Sequence, residues 1–261
     1  MFNFFRFLFS PIIAILDFIT KYFKTIVFLT IMYFFVFNSN DEISSSKNLA
    51  NLQKIDLSGP IMDVNKVLEN IDKAKKDTNI KGVMLVVDSP GGAVAPSIEV
   101  AYAIKELKQI KPVVVYASGV IASGSYYASI WADKIIANPG SIVGSIGVIM
   151  QGINAEELME KIGISTQTVK AGKFKESGTP SRKWTDFEEK QLQTVIDDTY
   201  NMFITDVANA RNLDVKNHTL FADAKIFTSK QAKEVGLVDE IATISYAQDE
   251  LAKLSNVQNP V

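Results

Sequence analysis

Among its 261 residues the chain has no cysteine and one histidine, His218. The first absence excludes disulfides, thiolate nucleophiles and cysteine-ligated metal. The second excludes a metal site built on two or three histidines. Any Ser-His-acid triad would have to recruit His218 from the polar stretch NLDVKNHTLFAD, where a surface or loop role fits it better. An excess of positive charge is missing too. The 27 Lys and Arg stand against 29 Asp and Glu, for a net charge of -2, and the basic residues are spread along the chain, so nucleic acid is not an expected partner. No metal or organic cofactor is indicated. No internal repeat is visible, so one catalytic set per chain is expected.

What the chain does have is an N-terminal segment different in kind from the rest. Residues 2–19 are aromatic and apolar but interrupted by Arg6, Pro11 and Asp17, whereas Thr25 to Phe37 is an uncharged apolar run. A span needs about 20 residues, which places a transmembrane helix at about 22–40, with Lys21 and Lys24 reaching to the interface. Asn38 to Glu42 offer no small-x-small cleavage site, so an uncleaved anchor is expected over a removed signal peptide. Arg6, Lys21 and Lys24 precede the run, and Asp41 and Glu42 follow it. The positive-inside bias then predicts a single-pass protein with an exported body, whereas a second membrane segment within residues 1–24 would return the body to the cytoplasm. The predicted organisation is an anchor over residues 1–40, a serine-rich linker over 41–51 and a folded body over 52–261.

Within the body, KIDLSG reads as a strand, and Val64, Val67, Leu68, Ile71 and Ala74 recur at helical spacing after it. IKGVMLVVDS and PVVVYA are near-continuous apolar runs of the kind buried on both faces of a sheet. PGGAVAPS reads as a turn and IEVAYAIKELKQI as a helix. DKIIANP and SIGVIM read as short strands, and NAEELMEKIG as a helix. Strands alternating with helices predict an α/β domain with a largely parallel core sheet. The polar stretch TVKAGKFKESGTPSRKW is long enough for a functional loop. A long helix follows it, opened by a capping box between Thr185 and Glu188. A helix closed by Gly236, a short strand and a terminal helix complete the chain.

The stretch YASGVIASGSYYASIW, from Tyr116 to Trp131, reads as strand, tight turn and helix. A serine at such a turn sits at a helix N-terminus, where backbone N–H groups can face a developing negative charge. The same four serines, Ser118, Ser123, Ser125 and Ser129, also fit a role as small residues that let a helix pack. With histidine unavailable, a nucleophilic serine needs a lysine whose burial disfavours its charged form. Lys170, Lys173 and Lys175 in the polar loop are candidates that spacing alone does not separate, and each fits a solvated loop lysine equally. DSPGG, Asp88 to Gly92, ends a buried strand, and its glycines permit free consecutive N–H groups.

DSPGG, VIASGSYYAS, GSIGVIM and AGKFKESGTPSR, in that order, resemble the signal peptide peptidase A (protease IV) family of membrane-anchored Ser-Lys peptidases, over roughly Lys54 to Ile244. The resemblance implies a Clp protease/crotonase-like α/β fold with a parallel-sheet βαβ spiral core and a long C-terminal helical extension. It implies Ser123 as nucleophile, Lys175 as general base, Ser145 as the residue orienting the lysine, and the backbone N–H groups of Gly92 and Gly124 as the oxyanion hole. It implies cleaved signal peptides and other hydrophobic peptides as substrates, membrane lipid around the anchor, a homo-oligomer, and a place in a bacterial plasma membrane with the catalytic domain exported. The lysine could act within one chain or across a subunit interface. Two departures from the family pattern are Ser125, where a glycine is frequent, and Ala224 with Ser229 in ADAKIFTSKQA. The competing readings are a crotonase-like acyl-CoA enzyme, which an export signal opposes, and a non-catalytic membrane-anchored scaffold, which intact Ser123 and Lys175 oppose.

Overall fold

A computed structural model of the chain describes residues 17–33, 51–258 and 260. The chain divides into two units between residues 49 and 50. In the first, residues 17–33 form helix α1, and every one of them is exposed, including Phe23 and Phe28. No helix among the described residues is long and apolar enough to cross a membrane. The span expected over about 22–40 is described only as far as residue 33. Residues 41–50 of the expected linker lie outside the described residues.

The second unit is built on a seven-stranded sheet. Strands β1 (Leu52–Ser58), β2 (Gly82–Ser89), β3 (Val113–Ala122), β4 (Lys134–Ala137) and β7 (Glu240–Ile241) lie side by side in that order, all parallel. Strand β3 forks the sheet. Its first half pairs with β4 and its second half with β5 (Ile142–Gly144), which pairs antiparallel with β6 (Ile226–Thr228). The continuous apolar strands follow from cover on both faces. On one face α2 (Asn65–Lys76), α3 (Val94–Lys108), α4 (Gly124–Ser129) and the C-terminal half of α6 (Asp186–Arg211) share a core with Val83, Leu85, Val87, Val113 and Val115. On the other, α8 (Ile244–Leu254) sets Ala247 and Leu251 against Met84, Val114, Tyr116 and Ile136. The short helices α5 (Glu156–Lys161) and α7 (Ser229–Glu234) complete the set.

Three boundaries differ from the sequence expectation, each for a local reason. Helix α3 begins at Val94 rather than after the PGGAVAPS turn. Pro96 falls in its first turn, where the missing N–H has no intrahelical partner to lose. SIGVIM is not a strand. The strand is Ile142–Gly144, just upstream, and Gly144 (φ 114°) with Ser145 (φ 50°) turns the chain out of the sheet. Helix α4 is only six residues long and stops at Ser129, short of Trp131.

Candidate active site

Strands β2 and β3 end side by side, and the register shifts between Val87 and Ser89, with Val87 opposite Ala117 and Ser89 opposite Ile121. Side chains hold this irregular patch. Asp88 Oδ1 accepts the Val120 N–H at 2.9 Å, and the Ser118 hydroxyl donates to the Val87 carbonyl at 3.1 Å. Gly119 packs so tightly beneath Asp88 that a Cβ there would lie 2.4 Å from the carboxylate. The DSPGG turn is pinned in turn: Ser89 Oγ donates to the Gly59 carbonyl at 2.6 Å and accepts the Gly91 N–H at 3.2 Å.

These contacts set two glycine-rich turns against each other. A Cβ on Gly91 would lie 2.6 Å from Gly124 N and 2.8 Å from Ser123 Cβ, and one on Gly124 would lie 3.3 Å from Gly92 N. The Gly92 and Gly124 N–H groups have no partner among the described residues, because Gly92 bridges Ile61 through its neighbours and Gly124 opens helix α4. Both glycines and Ser123 line one cavity of about 100 Å³. Its other walls are mostly apolar: Val94 and Ile98 from α3, Tyr127 from α4, and Met202 and Phe203 from α6, with Ser97 and Thr199 as polar members.

Of the four serines in the turn and helix, three have committed hydroxyls. Ser118 donates to Val87, and Ser129 donates to the Ser125 carbonyl. Ser125 is fully buried, accepts the Ala122 N–H, and contacts the Ser89 and Ala122 carbonyls at 2.6 and 2.9 Å. It staples β2 to the Ser123 turn, and its hydroxyl is fully committed. Ser123 is the exception. Its backbone adopts φ 52°, ψ -124°, and its hydroxyl makes no capping bond and has no partner among the described residues. The Ser123 N–H donates to the Gly144 carbonyl at 2.8 Å, which brings the next residue, half-buried Ser145, alongside. Ser145 does not line the cavity, whereas Gly147 and Val148 do.

Lys175 stands apart. It is exposed and lines a separate open depression with Thr168, Glu176 and Ser177. No lysine lines the Ser123 cavity. The predicted site residues thus fall into two groups: Gly92, Ser123, Gly124 and the adjoining Ser145 in one place, and Lys175 in another. His218 packs edge-on against Tyr200 in a 3-10 turn and does not reach the cavity. Among the described residues no cluster of three or more His, Asp or Glu could hold a metal.

The α6 wall escaped the sequence reading, although Thr199, Met202 and Phe203 share a face at helical spacing. So did its anchor, the hydrogen bond from Tyr127 Oη to Asp206. Burial, and then the Asp206 carboxylate, push the Tyr127 hydroxyl above its ordinary range, so it remains a phenol and is no proton acceptor. Periodicity marks such a face but not the element that it meets.

A serine at a strand-to-helix turn, facing two free N–H groups in an apolar cavity of an α/β domain, is the arrangement of an acyl-transfer enzyme. Residues 105–258 match peptidase family S49, and the chain belongs to that family. It is 48% identical over 191 residues to a protein of Methanocaldococcus jannaschii provisionally named a protease, covering 73% of this chain and 61% of the relative. It is 37% identical over 187 residues to an Enterococcus faecium protein provisionally named signal peptide peptidase SppA, covering 71% of this chain and 54% of the relative. The alignments with these two relatives thus span about half to three fifths of the relatives' length. A solved structure of a mutant of the 1510-N membrane-bound stomatin-specific protease shares the fold, with a TM-score of 0.53 at 15% identity, over 77% of this chain and 84% of that one.

Proposed function

We propose that the chain is a membrane-tethered serine endopeptidase that cleaves signal-peptide-derived and other hydrophobic peptides, with Ser123 as nucleophile and Lys175 as general base. The Ser123 hydroxyl carries this reading: it is unpartnered, held at a positive φ, and faces two free N–H groups. Among the loop lysines, Lys170 is ion-paired with Glu176 and Lys173 lies 4.2 Å over the Phe187 ring, whereas the Lys175 amine has no partner among the described residues. The apolar cavity suits an extended hydrophobic peptide, and the exposed apolar side chains of α1 suit an anchor in a plasma membrane, with the body exported.

Lys175 reaches Ser123 from a second copy of the chain. Two observations support this: the lysine lies outside the cavity of its own chain, and the stretch before it exposes Ile153, Leu158 and Val169, apolar side chains that a homo-oligomer would cover. Enclosing the amine there would remove the water that stabilises its charge, and the adjoining Ser145 hydroxyl could orient it.

The steps follow from the groups. Ser123 Oγ attacks the peptide carbonyl carbon while Lys175 Nζ takes its proton. The Gly92 and Gly124 N–H groups donate to the oxyanion, and its collapse expels the amine, which takes the proton from Nζ. Water then gives a proton to Nζ, attacks the ester and releases the acid, and Ser123 regains its proton.

Ser123→Ala and Lys175→Ala should each lower peptide cleavage on the order of 10³-fold or more. Subunits of the two inactive variants, unfolded together and reassembled, should regain activity, because mixed interfaces restore intact sites. No recovery in assembled mixtures would sink the shared site. Labelling of Ser123 by a serine-directed covalent probe, lost in Lys175→Ala, separates the peptidase from a non-catalytic scaffold and from an acyl-CoA enzyme.

A further inference from the structure

The turns that carry Lys175 belong to no helix or strand. Their backbone bonds are local: Lys175 N–H to Gly172 O at 3.3 Å, Ser177 N–H to Phe174 O at 3.0 Å, and Thr179 N–H to Glu176 O at 3.0 Å. Such a segment cannot by itself hold an amine to the tolerance that proton transfer requires. Both neighbours of Lys175, however, are tied to the start of α6. Phe174 meets the Phe187 ring edge-on, with centroids 5.4 Å apart. Glu176 accepts from Lys170 and, at 3.4 Å, from Arg182 Nη2.

Arg182 is the centre of this arrangement. Its guanidinium donates in a fork to Glu188, Nη1 to Oε2 at 2.9 Å and Nη2 to Oε1 at 2.8 Å. Glu188 is fully buried and also accepts the Thr185 N–H and hydroxyl, each at 2.9 Å, which closes the capping box of α6. The other end of α6 is rooted in the core through Phe203, Ile204, Val207 and Ala208. A chain of charge-assisted contacts therefore runs from the residue beside Lys175 to a rigid helix, and the fork supplies fixed direction as well as attraction.

We propose that Arg182, clamped by Glu188 and bridging to Glu176, is the positioning residue that sets where the Lys175 amine is carried. This rests on the Ser123–Lys175 reading above. Arg182 also partly neutralises Glu176, the carboxylate next in sequence to the base. Neither Arg182 nor Glu176 nor Glu188 lines the Ser123 cavity, so the clamp bears on proton transfer and not on the binding of the substrate side chain.

The test is steady-state cleavage of an apolar peptide by the full-length protein in membranes or detergent, with Arg182→Gln and Arg182→Lys. Arg182→Gln should lower kcat by about 10- to 100-fold, the scale of a displacement near 1 Å. KM should stay within about twofold, and the rate of covalent labelling at Ser123 should fall in parallel. Arg182→Lys keeps the charge but not the fork and should recover only a minor part of kcat. Melting temperature and oligomer size are measured on the same samples. Wild-type kcat in Arg182→Gln, with Lys175→Ala inactive, overturns the clamp and leaves the Ser-Lys pair standing. An active Lys175→Ala overturns the pair itself. A loss of kcat that only tracks dissociation or unfolding also overturns the clamp. Should Arg182→Gln fail to fold, Glu176→Gln decides: a kcat lowered severalfold at constant KM supports the clamp, and an unchanged kcat removes it.

Discussion

Positive backbone φ at Ser123, Ser145 and Ala224 places three side chains in a region that costs a residue with a Cβ about 1 kcal/mol or more. At Ser123 the conformation turns the hydroxyl out of the helix cap, so Ser123→Gly should raise the melting temperature while abolishing cleavage. Ala224 has a φ of 52°, a conformation that favours glycine. Ala224→Gly is expected to stabilise the protein by about 1 kcal/mol in denaturant unfolding, with activity kept. Ser125→Ala acts in the opposite direction. It strands the Ala122 N–H and removes the tie to Ser89, at a cost of about 2–3 kcal/mol, and it should lower kcat by shifting the nucleophile turn. From the local pattern alone Ser123 was one candidate of four, and it was the family resemblance that singled it out. The structure separates it from Ser125 through hydrogen bonding and cavity lining, because identical side chains two positions apart carry no local mark of which one is already satisfied.

Helix α6 joins the two halves of the proposed site: Met202 and Phe203 wall the cavity, and Glu188 holds the loop of Lys175 through Arg182. The capping box at Thr185 was readable because it is local, a side chain and a backbone group three residues apart. Its use as the anchor of Arg182 depends on a loop fold that no periodicity records. The fork from Arg182, followed by the Thr185 N–H, holds the Glu188 carboxyl down to about 2. An unfolded glutamate titrates near 4.3, so the folded state binds the proton less tightly. The stabilisation is fully present above about pH 4.3 and is lost as pH falls toward 2. Glu188→Gln should therefore be less stable than the parent at neutral pH, and the gap should close across that acid window in pH-dependent denaturation. The strand expected at SIGVIM failed for a related reason. Its apolar alternation is real, but Gly144 and Ser145 adopt left-handed conformations that the pattern of side chains does not reveal.

Across the whole molecule, the parallel order of the core strands and the cover on both faces were foreseeable from continuous apolar runs between helical segments. The separation of Lys175 from Ser123 was not, since motif order places residues in a family and not in one chain's cavity. The exposed apolar residues Ile153, Leu158 and Val169 are those that a second copy would cover in the proposed oligomer. Ile153→Asp together with Leu158→Asp should convert the assembly to monomers in analytical ultracentrifugation and lower cleavage by the same factor as the loss of assembled protein. An active monomer would mean that the lysine works within its own chain.

The fork at β3 has a further consequence for backbone opening. Over Val113–Ala117 that strand is flanked by β2, with β4 on its other side from Val114, so its amides there can exchange with deuterated solvent only when the centre of the sheet parts. Ser123 follows directly on its last residue. The turns around Lys175 have only local backbone bonds and can exchange without any such event. A map of deuterium uptake on the single chain should then set the proposed nucleophile at the end of a slow-exchanging strand and the proposed base in a fast-exchanging segment, and the proposed assembly should slow only the second.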